Sequence, residues 1–175
     1  MKFSSALFSP IIMASAMVVI AASAVMADTA LSERDLNALA NASYIYIATV
    51  RKDGSQSRAV PVWFVATPDH QVLIDTDPNS WKARRIRRGS PVLVWIGDRT
   101  GPAFIGTAEF VTDQAVQDQM IDQIPKKYFL ARIGFFGPSR ARFDDGRTVT
   151  IRISARRDLP EGFQSQPGTP APALK

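Results

Sequence analysis

The chain has 175 residues, no cysteine, one histidine and a formal net charge of +5. That length fits one domain with small appendages. Without cysteine there is no disulfide framework, thiolate zinc site or thiol nucleophile, and a lone His70 excludes histidine-rich metal sites and paired-imidazole chemistry.

Residues 1–27 carry a single charge, Lys2. An apolar stretch from Ile11 to Ala22 leads into small residues, with acceptable cleavage points after Ala24 and Ala27. The segment reads as a secretory signal peptide. It predicts an exported, periplasmic protein with no stable membrane insertion once cleaved. The alternative is an uncleaved anchor, because residues 3–27 are long and uncharged enough to span a bilayer. No twin-arginine pair is present, which predicts export unfolded and cofactor loading afterwards.

Residues 28–158 are expected to form the globular domain. Ser32 can cap a short helix with Leu36 and Leu39 facing the core. Tyr44 to Val50 is β-branched and aromatic, so it reads as a strand. Asp53-Gly54 marks a hairpin, and Ser57 to Val65 is the return strand, where Pro61 signals an edge or a bulge. His70 falls in the turn Pro68-Asp69-His70-Gln71 and reads as solvated. Val72–Thr76 is a third strand, followed by a turn cluster and a basic helix from Ser80 to Arg88 that Gly89-Ser90-Pro91 stops. Val92–Ile96 and Ala103–Val111 are strands. A helix spans Asp113–Ile124, with Val116, Met120, Ile121 and Ile124 at helical spacing, and Pro125 interrupts it. Val149–Ile153 is the last strand, paired with Ala141–Asp144 across Asp145-Gly146. Residues 159–175, with Pro167, Pro170 and Pro172, are expected to be a disordered tail. Short strands joined by hairpin turns predict a mainly β (α+β) fold, an antiparallel barrel with peripheral helices. No GxGxxG fingerprint supports a Rossmann sheet.

The junction at residues 71–88 carries the functional signal. Five cations lie within Lys82–Arg88, directly after a strand, a turn and a capping serine. Stepping about 100° per residue puts Ala83 and Ile86 inward, with Lys82 and Arg85 flanking Ile86. Arg84, Arg87 and Arg88 project the other way, as a solvated face or a partner contact. Thr76, Ser80, Lys82 and Arg85 together suit a phosphate, and Arg58 adds a cation if its strand pairs with Val72–Thr76. The competing readings are a solvated basic helix and an anionic-surface or nucleic-acid binder. Nucleic acid is not favoured, because the charge is local rather than a general coat. The carboxylate pairs Asp75/Asp77 and Asp144-Asp145 read as turn residues with no metal or catalytic role.

The string Arg58-Ala59-Val60-Pro61-Val62-Trp63-Phe64, then Ile74-Asp75-Thr76, Ser80-Trp81-Lys82-Ala83 and Pro91-Val92, resembles the pyridoxamine-phosphate-oxidase-like split barrels. Asp98-Arg99-Thr100-Gly101-Pro102, Gly106-Thr107-Ala108 and Lys127-Tyr128 resemble their oxidoreductase branch. The likeness covers roughly residues 33–155. It implies a six-stranded split β-barrel and a homodimer with cofactors at the interface. It also implies FMN, or alternatively a deazaflavin, with the phosphate held at Arg58, Thr76, Ser80 and Lys82. Arg85 joins that set from the helical wheel. The strand Val60–Trp63 would run along the flavin ring, with Val60 and Val62 offering backbone groups and Trp63 covering the ring, lining the substrate pocket or filling the core. The implied activity is hydride transfer at flavin N5 with a small organic substrate. No catalytic side chain is assigned, and Tyr128 is a proton donor, a pocket wall or a packing residue. The substrate-phosphate Arg and His positions of true pyridoxamine phosphate oxidases are not seen, so vitamin oxidation is not expected. A non-enzymatic exported flavin or haem carrier remains as an alternative, with His70 the only imidazole available.

Overall fold

The computed structural model describes residues 31–172, so the expected signal peptide lies outside the described residues. The chain begins with helix α1 (Glu33–Asn41), then strands β1 (Ile45–Thr49), β2 (Val60–Val62), β3 (Val65–Ala66) and β4 (Val72–Thr76). Helix α2 (Trp81–Arg87) precedes β5 (Val92–Ile96) and β6 (Ala103–Val111). Helices α3 (Gln114–Lys127), α4 (Phe129–Arg132) and α5 (Arg140–Asp144) lead to β7 (Val149–Asp158).

All strand pairs are antiparallel, in the order β2-β1-β5-β6-β7-β4-β3. The first and last strands of that order, β2 and β3, are separated in sequence only by Trp63 and Phe64. One chain segment therefore joins the two ends of the sheet and curls it into a split barrel. This is also why seven strands stand where six were expected. The single return strand divides at Trp63-Phe64, its first part pairing with β1 and its second with β4.

The interior is filled by alternating residues, among them Ile45, Ile47, Ile74, Val94, Phe104 and Ile151. Residues two apart on a strand share a face, so Leu93 and Trp95 of β5 point outward instead. They are nonetheless buried, in a second cluster with Ile105, Leu159 and Phe163. Helix α3 covers another outward patch, packing Met120 and Ile124 on Leu73 and Val65.

Three expectations change. The Ala141–Asp144 segment is helical, and Arg140 at its start bonds the Gln117 side chain of α3 at 2.7 Å. The last strand pairs instead with β4 and β6. Pro125 does not end α3, which continues to Lys127. A proline so near a helix end forfeits one backbone bond while Tyr128 N still reaches the Ile124 carbonyl at 2.9 Å. Finally, the described part of the Pro-rich stretch lies against the barrel, where Trp95 Nε1 donates to the Phe163 carbonyl at 2.6 Å. Its prolines shape an extended strap, and the buried Trp95 supplies an anchor that composition does not reveal.

Candidate functional site

The basic helix sits as its wheel indicates. Ala83 and Ile86 are buried, and Arg84, Arg87 and Arg88 are exposed. Ser80 caps it, its Oγ accepting from Ala83 N at 3.3 Å and lying 3.3 Å from Thr76 Oγ1. Gly89 ends it with φ 81°, donating to the Ile86 carbonyl while Ser90 N donates to Arg85 O. These two bonds form a Schellman motif, which requires the left-handed backbone glycine allows. The helix is thus fixed at both ends, and its Lys82–Arg85 side faces the end of β1.

There Arg58, Val60, Ser80, Lys82 and Arg85 meet around a cleft of about 340 Å³. Five residues that sequence reading did not assign complete the wall: Ile47, Thr49, Arg51, Ser57 and Trp81. The Arg85 guanidinium donates to Thr49 Oγ1 at 3.2 Å. Arg51 donates from one nitrogen to Ser55 Oγ at 3.0 Å and to the Gln56 carbonyl at 2.6 Å. Both arginines are therefore held by neutral acceptors. Among the described residues, no carboxylate lies within ion-pairing distance of Arg51, Arg58, Lys82 or Arg85.

Electrostatics follow from this crowding. Burial lowers the Lys82 pKa, with Asp75 and Asp77 acting in the opposite direction. Burial also lowers that of Arg85, and the neighbouring Arg51 and Arg88 charges add to the effect. Burial raises the Asp75 carboxyl, opposed by its own backbone N–H and by Arg142 and Lys82. A cleft whose cations have no direct ion-pair partner, two of them held in place by hydrogen bonds, is one that an anion stabilises. A second basic cleft of about 210 Å³ adjoins it, sharing Arg51 and Arg85 and adding Lys52 and Arg88.

The remaining expected site residues lie elsewhere. Thr76 is buried and touches the cleft only through Ser80. Arg58 arrives not by pairing with β4 but at the entry to β2, which pairs with β1. Val62 and Trp63 line a separate aromatic cleft of about 300 Å³ with Tyr44, Pro61 and Phe136. Trp63 stacks on Tyr128, with centroids 4.7 Å apart and planes at 13°. Strand β2 thus borders both clefts, the basic one at Val60 and the aromatic one at Pro61 and Val62. Burial pushes the Tyr128 hydroxyl up to about 12. It accepts from Phe64 N at 3.0 Å and donates to Phe64 O at 3.1 Å. A hydroxyl so committed serves the Phe64 backbone. His70 occupies an exposed turn at φ 61°, apart from these clefts.

The comparisons agree with this architecture. Residues 31–158 match the family model described as pyridoxamine 5'-phosphate oxidase. No curated protein sequence matches the chain. Among solved structures, a conserved hypothetical protein of Mycobacterium tuberculosis is 21% identical with a TM-score of 0.55, over 75% of this chain and 85% of its own. An F420 reductase is 19% identical at a TM-score of 0.53, covering 70% of this chain and 94% of its own. An FAD- and haem-binding protein of Mycobacterium smegmatis is 19% identical at 0.53, over 77% and 74%. These likenesses are of fold.

Proposed function

Since this chain belongs to the pyridoxamine 5'-phosphate oxidase family, we propose that it is an FMN-dependent oxidoreductase whose basic cleft takes the flavin phosphate. The observation that carries this reading is the convergence of Arg51, Arg58, Lys82 and Arg85 on one cleft with, among the described residues, no carboxylate in ion-pair contact with any of them. Bound FMN supplies hydride or electron transfer, and the protein supplies binding, orientation and electrostatics.

The chain's residues divide the work by position. Lys82 and Arg85 oppose the phosphate charge, and Thr49 holds Arg85 in place for it. Ser57 and Ser80 offer hydroxyls at the same wall. Strand β2 leads from this cleft toward Trp63, so a ring laid along it reaches the aromatic cleft. That cleft, lined by Tyr44, Trp63 and Phe136, suits a small unsaturated or nitrogen-containing substrate. Phe135 and Phe136, 71% and 65% exposed, offer an apolar face to a second copy of the chain, in line with a homodimer. Residues 1–27 support export to the periplasm.

A deazaflavin on the same barrel is the second reading. It is favoured by Lys52 and Arg88, which continue the row of cations into the adjoining cleft and suit a longer anionic tail. The similarity to an F420 reductase points the same way.

Titration of the purified protein with FMN, riboflavin and a deazaflavin tests both. FMN should bind more tightly than riboflavin. Lys82→Ala or Arg85→Ala should weaken FMN about tenfold or more, the scale of a hydrogen bond between charged groups, and leave riboflavin unchanged. Equal binding of FMN and riboflavin would refute the phosphate assignment. Tight binding of the deazaflavin alone would select the second reading.

A further inference from the structure

The segment after β7 is stitched to the wall of the basic cleft. Phe163 stacks on Trp95 at 6.1 Å, the planes 11° apart. Ser165 Oγ donates to the Ser57 carbonyl at 3.2 Å. Gly168 N donates to the Gln56 carbonyl at 3.0 Å, and Gln56 N donates to the Thr169 carbonyl at 2.7 Å. The Gln56 side chain adds bonds from Nε2 to Thr169 Oγ1 at 3.1 Å and to the Pro170 carbonyl at 3.0 Å. Ala171 N closes the series on the Gly54 carbonyl at 3.0 Å. Residues 163–171 therefore run beside residues 54–57 much as an added strand would. They lie beyond the family match, which ends at residue 158.

One atom connects this strap to the cleft. The Gln56 carbonyl oxygen accepts both from Gly168 N and from the Arg51 guanidinium. Among the described residues no carboxylate is in direct ion-pair contact with Arg51, and the nearby Asp53 reaches it through Ser55 Oγ, so the hydrogen bonds that set its direction run to Ser55 and Gln56. Both belong to the segment the strap pins. Ser57, which lines the cleft, has its carbonyl fixed by Ser165.

We propose that residues 163–171 are a positioning strap, which holds the Gln56 carbonyl in place and thereby aims Arg51 at the anionic group of the ligand. Gln56 is the positioning residue and Phe163 the anchor. Fixing the arginine beforehand removes ordering cost from binding. The strap's effect on ligand affinity rests on the flavin-phosphate reading of the cleft. Its effect on Arg51 does not.

The test uses the full chain and has two arms. In the ligand-free protein, NMR relaxation of the Arg51 Nε–H reports the order of the guanidinium. It should be rigid in the parent and mobile in Gln56→Ala and in Phe163→Ala. Unchanged rigidity in folded variants would overturn the proposal whatever the ligand. Thr169→Ala replaces Phe163→Ala if the latter does not fold. In the second arm, FMN and riboflavin affinities are measured in the same variants with and without Arg51→Ala. Arg51→Ala should weaken FMN about tenfold, and the strap variants by part of that, with riboflavin unaffected. In the Arg51→Ala background the strap variants should have no further effect. A strap effect that persists without Arg51, or that falls equally on riboflavin, would overturn the route through Arg51. If the parent does not prefer FMN to riboflavin, the phosphate reading fails, and the NMR arm alone decides the strap.

Discussion

Replacing Tyr128 with Phe removes one oxygen and leaves the ring. The ring keeps its stack on Trp63 at 4.7 Å, so the loss belongs to the hydroxyl. That oxygen serves both backbone polar groups of Phe64, a residue fully buried at the joint between β2 and β3. Without it, a buried N–H and a buried carbonyl lose their common partner. Each such orphan costs roughly 1–3 kcal/mol, and relaxation recovers some of it, so the expected loss is about 3 kcal/mol. For a domain of this size, that corresponds to a fall in Tm of roughly 6–12 °C. Urea unfolding should show a lower midpoint with an unchanged slope. The pH dependence supplies a second check. The folded pKa of about 12 stands above the ordinary 10. The hydroxyl's contribution is thus full below pH 10 and is lost as pH rises through about 12. The penalty of Tyr128→Phe should shrink over that window. A loss below about 1 kcal/mol at neutral pH would refute the reasoning, because it would mean that water or another donor reaches the joint.

Two further outcomes follow from other parts of the fold. An added Cβ at Gly106 would stand 2.7 Å from the Ser154 carbonyl oxygen, at the register shift between β6 and β7. Gly106→Ala should therefore cost about 1–3 kcal/mol in thermal unfolding, and an unchanged Tm would contradict that close approach. Asp158 shares a small cavity of about 90 Å³ with Asp35 and Glu161. Burial, and then the Asp35 carboxyl, push its pKa above the ordinary 3.8. A raised carboxylate pKa favours the folded state only while the group is protonated. Asp158→Asn should therefore stabilise the protein at neutral pH, with the gain vanishing as pH falls below 3.8. A gain of equal size at pH 3 and pH 7 would show that repulsion is not its source.

The barrel and the basic helix were legible because both rest on local signals. Alternating apolar residues set the strands, and the Ser80 cap with the Gly89 stop set α2. The five expected residues around the basic cleft came from the same helix and from the motif beginning at Arg58. Arg51, Thr49 and Ser57 were missed because they reach the cleft through the pairing of the hairpin after β1, a register that composition does not carry. The serine and threonine pattern across that hairpin was the available clue. Trp63 was placed near the ring by motif, yet its partner Tyr128 lies 65 residues away in sequence. The tail misled for a similar reason. Proline content describes a segment's own stiffness and says nothing of the Trp95 surface that receives it.

The joint between β2 and β3 has a consequence for how ligands come and go. Strand β2 is held to β1 by three residue pairs and β3 to β4 by two, against eight between β6 and β7. The seam of the barrel is its thinnest stitching, so local opening should begin there. Both the basic and the aromatic clefts border that seam through Val60, Val62 and Trp63. A molecule lying along β2 and touching both would act as a zip fastener, binding the closed form and not the open one. Part of its affinity would then be spent on keeping the barrel shut, and amide exchange at residues 60–66 should slow on binding more than anywhere else in the sheet.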